Sequence, residues 1–198
     1  MNKHAWLLRP LPHGNEAMQD FLDRDFVAVG YPLGLDLSDK TDEELKKLLE
    51  PKGWGEGFNN LKIVVKSMKS GDLVIVPDTN KKDVYFGTIE SDYVYISRLD
   101  EDKDGSGYPH QRKVKWLFDK APFPRLNLPE EIKSSLRYPG GVADISKHYE
   151  ALSKLVAGDT NTKSSLDEKA LSILEELLDH ENDEIRLNAA IGILNYNK

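Results

Sequence analysis

The stretch Asp72-Leu73-Val74-Ile75-Val76-Pro77 decides the fold class, because it predicts a strand and a second strand follows it closely. It begins at a Ser-Gly-Asp turn and ends on proline, and its interior is apolar and β-branched. After a polar Asn-Lys-Lys-Asp turn comes Val84-Tyr85-Phe86-Gly87-Thr88-Ile89. The two runs predict two strands.

Further short apolar runs predict strands at residues 26–30, 93–96 and 112–117. Runs spaced about 8–12 residues apart and rich in β-branched and aromatic types are typical of a sandwich or barrel. Between them, apolar spacing and helix-start signals predict three helices. These cover Asn15 to about Arg24, Thr41 to Leu49 with a capping box from Thr41 to Glu44, and Asn60 to Lys69. The order of these elements predicts a small α+β barrel over residues 1–120.

Residues 121–143 are rich in proline and glycine, and we interpret them as a linker. Helical spacing of apolar residues then predicts an all-α region over residues 144–198, which starts with a helix over 144–156. A polar stretch at 158–165 predicts an exposed hinge before a terminal αα-hairpin.

That terminal hairpin resembles a single HEAT-type repeat. Ser165 with Glu168 predicts a capping box at its first helix, and Asn182 an N-cap for its second. One repeat cannot bury its apolar stripe alone. We therefore expect packing on the barrel or on a second copy of the chain through residues 165–198, and both stay open.

The charge of the chain depends strongly on position. The 198 residues carry 27 Lys and Arg, 34 Asp and Glu, a net charge of −7, and no cysteine. Residues 159–198 hold nine acids and four bases, whereas residues 108–137 hold seven bases and three acids. The acidity therefore belongs mostly to the tail and does not exclude nucleic acid as a ligand. The missing cysteines exclude disulfides, a thiolate nucleophile and Cys-ligated metal.

The N-terminal residues do not resemble a secretion signal, because Arg9 and Pro10 interrupt a short apolar run. No apolar run has the length of a membrane span. We expect a cytoplasmic protein.

Enzyme signatures are missing from the sequence. It contains no phosphate-binding loop, dinucleotide fingerprint, His-Glu-x-x-His pair or Gly-x-Ser-x-Gly elbow. The acids at 100–104 before Gly105 faintly resemble a calcium loop, but Arg112 stands near the position of the required final Glu, so we expect a solvated loop. We expect no catalysis, cofactor or metal, and an enzyme acting on a nucleotide is the weakest interpretation.

Aromatic residues lie on or beside the predicted strands: Trp6, Tyr31, Tyr85, Phe86, Tyr93, Tyr95, Tyr108 and Trp116. Tyr93 and Tyr95 are two apart and therefore share one face of a strand. Such residues either fill a core or line a cavity, and the pattern alone leaves both open.

Six motifs follow one another in the barrel half: Trp6-x-x-Arg9-Pro10, Val27-Ala28-Val29-Gly30-Tyr31, Met68-x-x-Gly71-Asp72-x-Val74-x-Val76-Pro77, Tyr85-x-Gly87-x-Ile89, Asp92-Tyr93-x-Tyr95 and His110-x-Arg112-x-Val114-x-Trp116. The series resembles the EVE-like branch of the PUA-like superfamily, in particular the N-terminal modules of Mrr- and McrB-type restriction endonucleases and related prophage proteins. The resemblance covers roughly residues 3–120. Tyr31 stands where relatives often have Trp.

The resemblance implies a β-pseudo-barrel whose mouth holds a flipped, often modified, base between aromatic side chains. It implies a non-catalytic reader, with DNA favoured over RNA, that works beside a separate effector protein in a prophage or restriction/defence context. The implied base-binding residues are Trp6, Arg9, Tyr31, Tyr85, Asp92, Tyr93 and Tyr95. The expected contacts to the nucleic-acid backbone are His110, Arg112, Lys113 and Lys115, with Lys62, Lys66 and Lys69 on one helix face. Gly71 and Asp72 are expected to form a structural turn.

A different interpretation makes the barrel a rigid body and the acidic helical tail the functional surface. The protein then acts as an adaptor that binds a protein partner or forms an oligomer.

Overall fold

A computed structural model describes residues 3–103 and 105–196, with the side chains of 159–169 and 196 left aside. Eight strands form one sheet: β1 Ala5–Leu8, β2 Phe26–Val29, β3 Leu73–Pro77, β4 Asp83–Ile89, β5 Val94–Tyr95, β6 His110–Trp116, β7 Phe123–Pro124 and β8 Val142–Asp144. The helices are α1 Met18–Arg24, α2 Asp42–Leu49, α3 Phe58–Lys62, α4 Glu130–Ser135, α5 Tyr149–Leu177 and α6 Asp183–Tyr196. The α+β class is confirmed.

The sheet is mixed and curls into a half-barrel. Its main path runs β2-β6-β4-β3-β1-β8, while β5 pairs with β6 and β7 with β4. The two predicted strands are present and form an antiparallel hairpin, with Ile75 opposite Phe86 in the β3–β4 pair. The β1–β3 pair is parallel, with Trp6 opposite Val74. The strands β2 and β8 are the two edges of this path.

The helices of the N-terminal half form close to their predicted positions. At α2 both halves of the capping box are made: the Thr41 hydroxyl accepts from the backbone N–H of Glu44, and the Glu44 carboxylate accepts from the N–H of Thr41. The end of α3 widens into a π-helical turn, Ile63–Ser67. Leu61, Val64 and Met68 of this segment are buried in the main core.

The segment 121–143 is not a linker. It contains β7, α4 and the first residues of β8, and Leu7 of β1 pairs with Ala143 of β8. Its prolines and glycines mark turns between short elements that join the sheet. The helix predicted from residue 144 begins at Tyr149, because residues 142–144 are a strand.

The chain divides into two compact units, Met1–Ala151 and Leu152–Lys198. The second unit contains most of α5 and all of α6. The helix α5 is continuous through residues 158–165, so the predicted hinge is wrong. Asn182 is the predicted N-cap of α6 and accepts from the N–H of Glu184 at 2.9 Å. The predicted capping box of Ser165 and Glu168 lies outside the described side chains.

Within the second unit, Gly192 of α6 lies close to Leu174 of α5. Several large apolar side chains of the hairpin are exposed: Ile173, Leu178, Leu187, Ile191 and Leu194. In the part of the chain that the structure describes, no helix combines the length and the apolar character needed to cross a membrane.

Candidate functional site

Two of the predicted base-binding aromatics belong to the core. Trp6 is 4% exposed, and its indole Nε1–H donates to the Asp72 carboxylate at 2.8 Å. Asp72 also accepts from the backbone N–H of Lys69, which confirms the structural turn predicted there. Tyr85 is half-buried, with its ring edge-on to Trp116. Since the Trp6 ring and its donor are both used inside the core, Trp6 is corrected from a pocket wall to a core residue.

Tyr93 and Tyr95 lie together, as predicted, but their rings pack on His110 and do not line the cavity formed around Arg9 and Tyr31. Both rings stack on the imidazole of His110 with centroids 5.9 Å away. The Tyr93 hydroxyl lies 2.7 Å from His110 Nδ1, and the Tyr95 hydroxyl donates to Asp100 at 2.5 Å. Burial and the bond to Asp100 raise the pKa of Tyr95 to about 12. The hydroxyl groups of Tyr93 and Tyr95 therefore already have hydrogen-bond partners within the protein.

The imidazole of His110 has a single consistent tautomer. Its Nε2 lies 3.0 Å from the carbonyl oxygen of Tyr31, which can only accept, so Nε2 carries the proton. Nδ1 then accepts from the Tyr93 hydroxyl, which itself accepts from the backbone N–H of Leu37 at 3.4 Å. Burial lowers the pKa of His110 to about 4, and the ring is neutral at pH 7. We name His110, Tyr93, Tyr95 and Arg112 the closed cluster.

Arg112 lies in the interior at 1% exposure. Its Nε and Nη2 donate to the carbonyls of Val64 and Val65 in the π-helical turn, at 2.7 and 2.9 Å, and Nη1 donates to Ser91 at 3.2 Å. A cation at a helix C-terminus stabilises the helix dipole. Arg112 and the fully buried His110 are thus corrected from backbone contacts to structural residues.

The remaining predicted contacts divide into paired and free side chains. Lys62 and Lys66 both bind the Asp42 carboxylate, at 2.5 and 3.0 Å, and their hydrogen bonds lower the pKa of Asp42. Lys69, Lys113 and Lys115 are exposed, and their predicted role stays a prediction. Asp92 is also exposed; its side chain, 98% accessible, lies 3.9 Å from Arg112.

A cavity of about 250 Å³ lies where the two edges of the half-barrel approach each other. It is lined by the end of β2 with Tyr31, by Arg9 after β1, by the turn over residues 11–14, and by Asn60 and Gly141. We call it the seam cavity. Its volume falls just below the ~300–1,000 Å³ of sites for drug-sized ligands, so it suits a smaller group.

Asn60 of α3 joins the two edges at this point. Its Nδ2 donates to the Tyr31 hydroxyl at 3.1 Å, and its Oδ1 accepts from the backbone N–H of Val142, the first residue of β8, at 3.0 Å. One side chain therefore fixes the width of the seam. Because the Tyr31 hydroxyl accepts from Asn60, its own hydrogen remains for another acceptor.

Tyr31 has a strained backbone, with φ at +69°. This left-handed conformation is uncommon for a bulky residue and persists only where the surroundings impose it. His110 binds its carbonyl and Asn60 binds its hydroxyl. Its ring packs so closely on Gly57 that a Cβ there would lie only 2.2 Å from the ring. The closed cluster thus fixes the backbone of Tyr31 while its ring lines the seam cavity.

Arg9 supplies the positive charge of the cavity. Its Nη2 donates to the carbonyls of Leu136 at 3.1 Å and Tyr138 at 2.7 Å. Its Nε is buried and has no hydrogen-bond partner among the described residues. A buried donor without a partner is costly unless a ligand or water satisfies it.

Two further residues at this site escaped prediction. The ring of Trp54 lies edge-on to Tyr31 at 6.1 Å and to His13 at 5.2 Å, and His13 lines the cavity and binds Asp102 at 2.6 Å. Trp54 follows helix α2 in a Gly-rich loop, and no local sequence pattern places that loop near Tyr31. Two sequence features could have indicated this site: a Trp in a Gly-rich loop, and a His between Pro12 and Gly14.

The arrangement suits binding of a planar, hydrogen-bonding group. The cavity presents an aromatic ring, a cationic donor, the Tyr31 hydroxyl and the second N–H of Asn60. Among the described residues no three His, Asp or Glu side chains come together as metal ligands would.

A family model described as Domain of unknown function (DUF8426) matches residues 9–137, more than half of the chain. The matched region includes Arg9, Tyr31, Trp54 and Asn60. No curated protein shows a significant match to the sequence.

Proposed function

Since the chain belongs to the DUF8426 family, to which no function is attached, we propose from its geometry that it is a non-catalytic reader of a flipped, modified base in DNA. The seam cavity is the observation that carries this proposal. It brings the aromatic Tyr31, the cationic Arg9 and the amide of Asn60 together around a space suited to a single base.

The energetics favour a site of this kind. Extruding a base from a duplex costs a few kcal/mol, and less for a mismatched or damaged pair. Stacking on one aromatic side chain returns about 1–3 kcal/mol per base. Tyr31 supplies the aromatic surface, and Trp54 packs edge-on against its ring. The Tyr31 hydroxyl offers a donor to an acceptor atom on the base edge, and Arg9 offers a positive charge.

The EVE-like, PUA-like resemblance supports the same proposal, with the contacts redistributed. Arg9 and Tyr31 carry the base contacts, His13 joins them, and Trp54 supports the ring of Tyr31. Exposed Lys113 and Lys115 remain candidates for the backbone. By the resemblance, the reader works beside a separate effector in a prophage or restriction setting.

Duplexes that each hold one 5-methylcytosine, 5-hydroxymethylcytosine or N6-methyladenine test the proposal against an unmodified duplex. We expect the wild type to bind one modified duplex at least about tenfold more tightly, as one good stacking contact allows. Tyr31→Ala removes that preference, whereas Tyr95→Ala, in the closed cluster, keeps it. The affinity for single-stranded RNA of the same sequence is measured as well, and we expect it to be lower than the affinity for the modified DNA duplex.

Equal affinity of the wild type for every duplex would overturn the proposal. So would a Tyr31→Ala variant that folds and keeps the full preference. Fluorescence anisotropy gives the affinities, and urea unfolding confirms that each variant is folded.

A second candidate, self-association or partner binding through α5 and α6, is favoured by the exposed Leu187 and Leu194, at 61% and 66%. Exposed apolar patches often mark interfaces. If it holds, Leu187→Gln with Leu194→Gln lowers the mass of the full chain measured by light scattering. A monomeric wild type removes self-association from consideration.

A further inference from the structure

A second concave site lies next to the seam cavity. It has a volume of about 230 Å³ and is lined by Arg125, Leu126, Lys133, Leu136 and Arg137. We call it the cationic cleft, because three of its five lining residues carry a positive charge. These bases come from the 108–137 segment, whose net charge is positive although the whole chain is acidic.

Arg9 connects the cleft to the seam cavity. It lines the cavity, and its guanidinium binds the carbonyl of Leu136, which is itself a wall of the cleft. The two sites therefore lie on either side of one arginine. A ligand that places one group in the cavity has a neighbouring group within reach of the cleft.

The cations of the cleft are poorly compensated. Arg125 donates from Nη1 to the Lys81 carbonyl at 3.0 Å, but its buried Nε has no partner among the described residues. Burial lowers the pKa of Arg125, and so does the positive charge of Arg9. The only ion pair at the cleft joins Lys133 to Glu130 at 3.6 Å, in the part of the chain that the structure describes, and Glu130 is largely exposed.

Arg137 is the least engaged of the three. Its backbone N–H closes a turn to Ser134, and its side chain makes no ion pair or hydrogen bond within residues 3–103 and 105–196. Guanidinium groups present several donors in a plane and bind phosphate oxygens through two of them at once. Clustered cations with unused donors are therefore a site for an oxyanion.

We propose that the cationic cleft binds a phosphate group adjacent to the base held in the seam cavity. For the source of that phosphate the inference rests on the proposed function: a phosphodiester of the nucleic acid, as opposed to free phosphate. Arg125 and Arg137 are its main contacts, with Lys133 as a third charge.

The salt dependence of binding tests this contact directly. The logarithm of the affinity for duplex DNA falls with the logarithm of salt concentration, with a slope of about −0.9 per neutralised phosphate. We expect Arg137→Gln to make the slope shallower by about 0.9, and Lys133→Gln to act in the same direction. Lys47→Gln, which removes one exposed charge from α2, leaves the slope unchanged.

A titration with inorganic phosphate separates the two sources. The Nε–H resonance of Arg125 in ¹⁵N-labelled full chain is followed by NMR in the wild type, Arg137→Gln and Lys47→Gln. A saturable shift that Arg137→Gln abolishes, together with the altered salt slope, assigns the cleft to the nucleic-acid backbone. The same shift with an unaltered slope assigns it to free phosphate.

The proposal is overturned if Arg137→Gln matches Lys47→Gln in both measurements. Its failure is distinguishable from failure of the proposed function. A wild type that shows no preference for any modified base, but a slope that Arg137→Gln reduces, removes the base reader and keeps the phosphate site. A wild type that prefers a modified base, with a slope that Arg137→Gln leaves unchanged, rules out only the phosphate site.

Discussion

Tyr31 joins two polar regions of the sheet unit that differ in how their hydrogen-bonding groups are used. In the closed cluster, His110 and Arg112 find all their partners within the protein, from the Tyr31 carbonyl to the π-helical turn. In the seam cavity, the hydroxyl hydrogen of Tyr31 and the second N–H of Asn60 have no acceptor among the described residues.

The difference separates residues that build the site from residues that meet a ligand. Fully satisfied buried networks rigidify a structure, whereas donors left over in a cavity are available to a bound group. His110 and Arg112, which the sequence suggests as ligand contacts, therefore have a structural role. Substitutions in the closed cluster should change stability, and substitutions at the seam should change binding.

The largest effect is expected at Arg112. Arg112→Met leaves the buried carbonyls of Val64 and Val65 without their donor, at about 1–3 kcal/mol for each unsatisfied group, and removes the bond to Ser91. We expect the free energy of unfolding to fall by about 3–5 kcal/mol in urea denaturation. Lys113→Met, the exposed neighbour on β6, should stay within about 0.5 kcal/mol of the wild type. A loss below about 1 kcal/mol for Arg112→Met would contradict the structural role.

A smaller effect is expected from the titration of His110. Its folded pKa of about 4 lies below the ordinary value near 6.5, so the unfolded chain takes up the proton first as pH falls. Stability from this group is complete above about pH 6.5 and declines as pH falls towards 4. Between pH 7.5 and 4.5 the expected loss is about 2–3 kcal/mol.

The comparison with His110→Gln isolates that contribution. Asp42 and Glu44, whose pKa values are lowered by hydrogen bonds to Lys62 and Thr41, also lose stability in acid, but they do so in both proteins. Urea unfolding at the two pH values should therefore show a smaller loss in His110→Gln. Equal losses would mean that His110 is protonated in the folded state as readily as in the unfolded one.

At the seam, Asn60→Ala removes both bonds that join Tyr31 to Val142. We expect a loss of about 1–3 kcal/mol, since each partner keeps some access to water. Asn59→Ala, on the exposed face of the same helix, is the matched control. The preference for the modified base should weaken in Asn60→Ala and not in Asn59→Ala. An undiminished preference in Asn60→Ala would show that Asn60 does not determine the width of the seam cavity.

The sequence predicts the regular parts of this fold because local patterns carry them. The β3–β4 hairpin follows from two apolar runs, and the start of α2 from its capping box. The strand β8 has only three residues, and its pairing with β1 spans most of the sheet unit, so no local pattern reveals it. Pro- and Gly-rich composition therefore predicted a linker where short elements join the sheet.

The candidate site was predictable only in part, for reasons visible at single positions. Arg112 shares the face of Val114 and Trp116 by the two-residue period of β6, and that period already indicates an inward side chain. The side chain of Tyr31 depends on a left-handed backbone that Tyr rarely adopts. Trp54 reaches Tyr31 only through the tertiary fold, and no sequence spacing encodes that contact.

The central claim, that a single base occupies the seam cavity against Tyr31, is tested most directly by Gly57→Ala. A Cβ at Gly57 would lie 2.2 Å from the Tyr31 ring and must displace it, whereas one at Gly55, in the same turn, meets nothing within 4 Å. The measurement is the affinity for a duplex with one unpaired base relative to the same duplex with an abasic residue at that position. We predict that the wild type and Gly55→Ala prefer the base at least about tenfold, or about 1.4 kcal/mol, and that folded Gly57→Ala does not. Equal affinity of the wild type for the two duplexes, or an undiminished preference in Gly57→Ala, would contradict the claim.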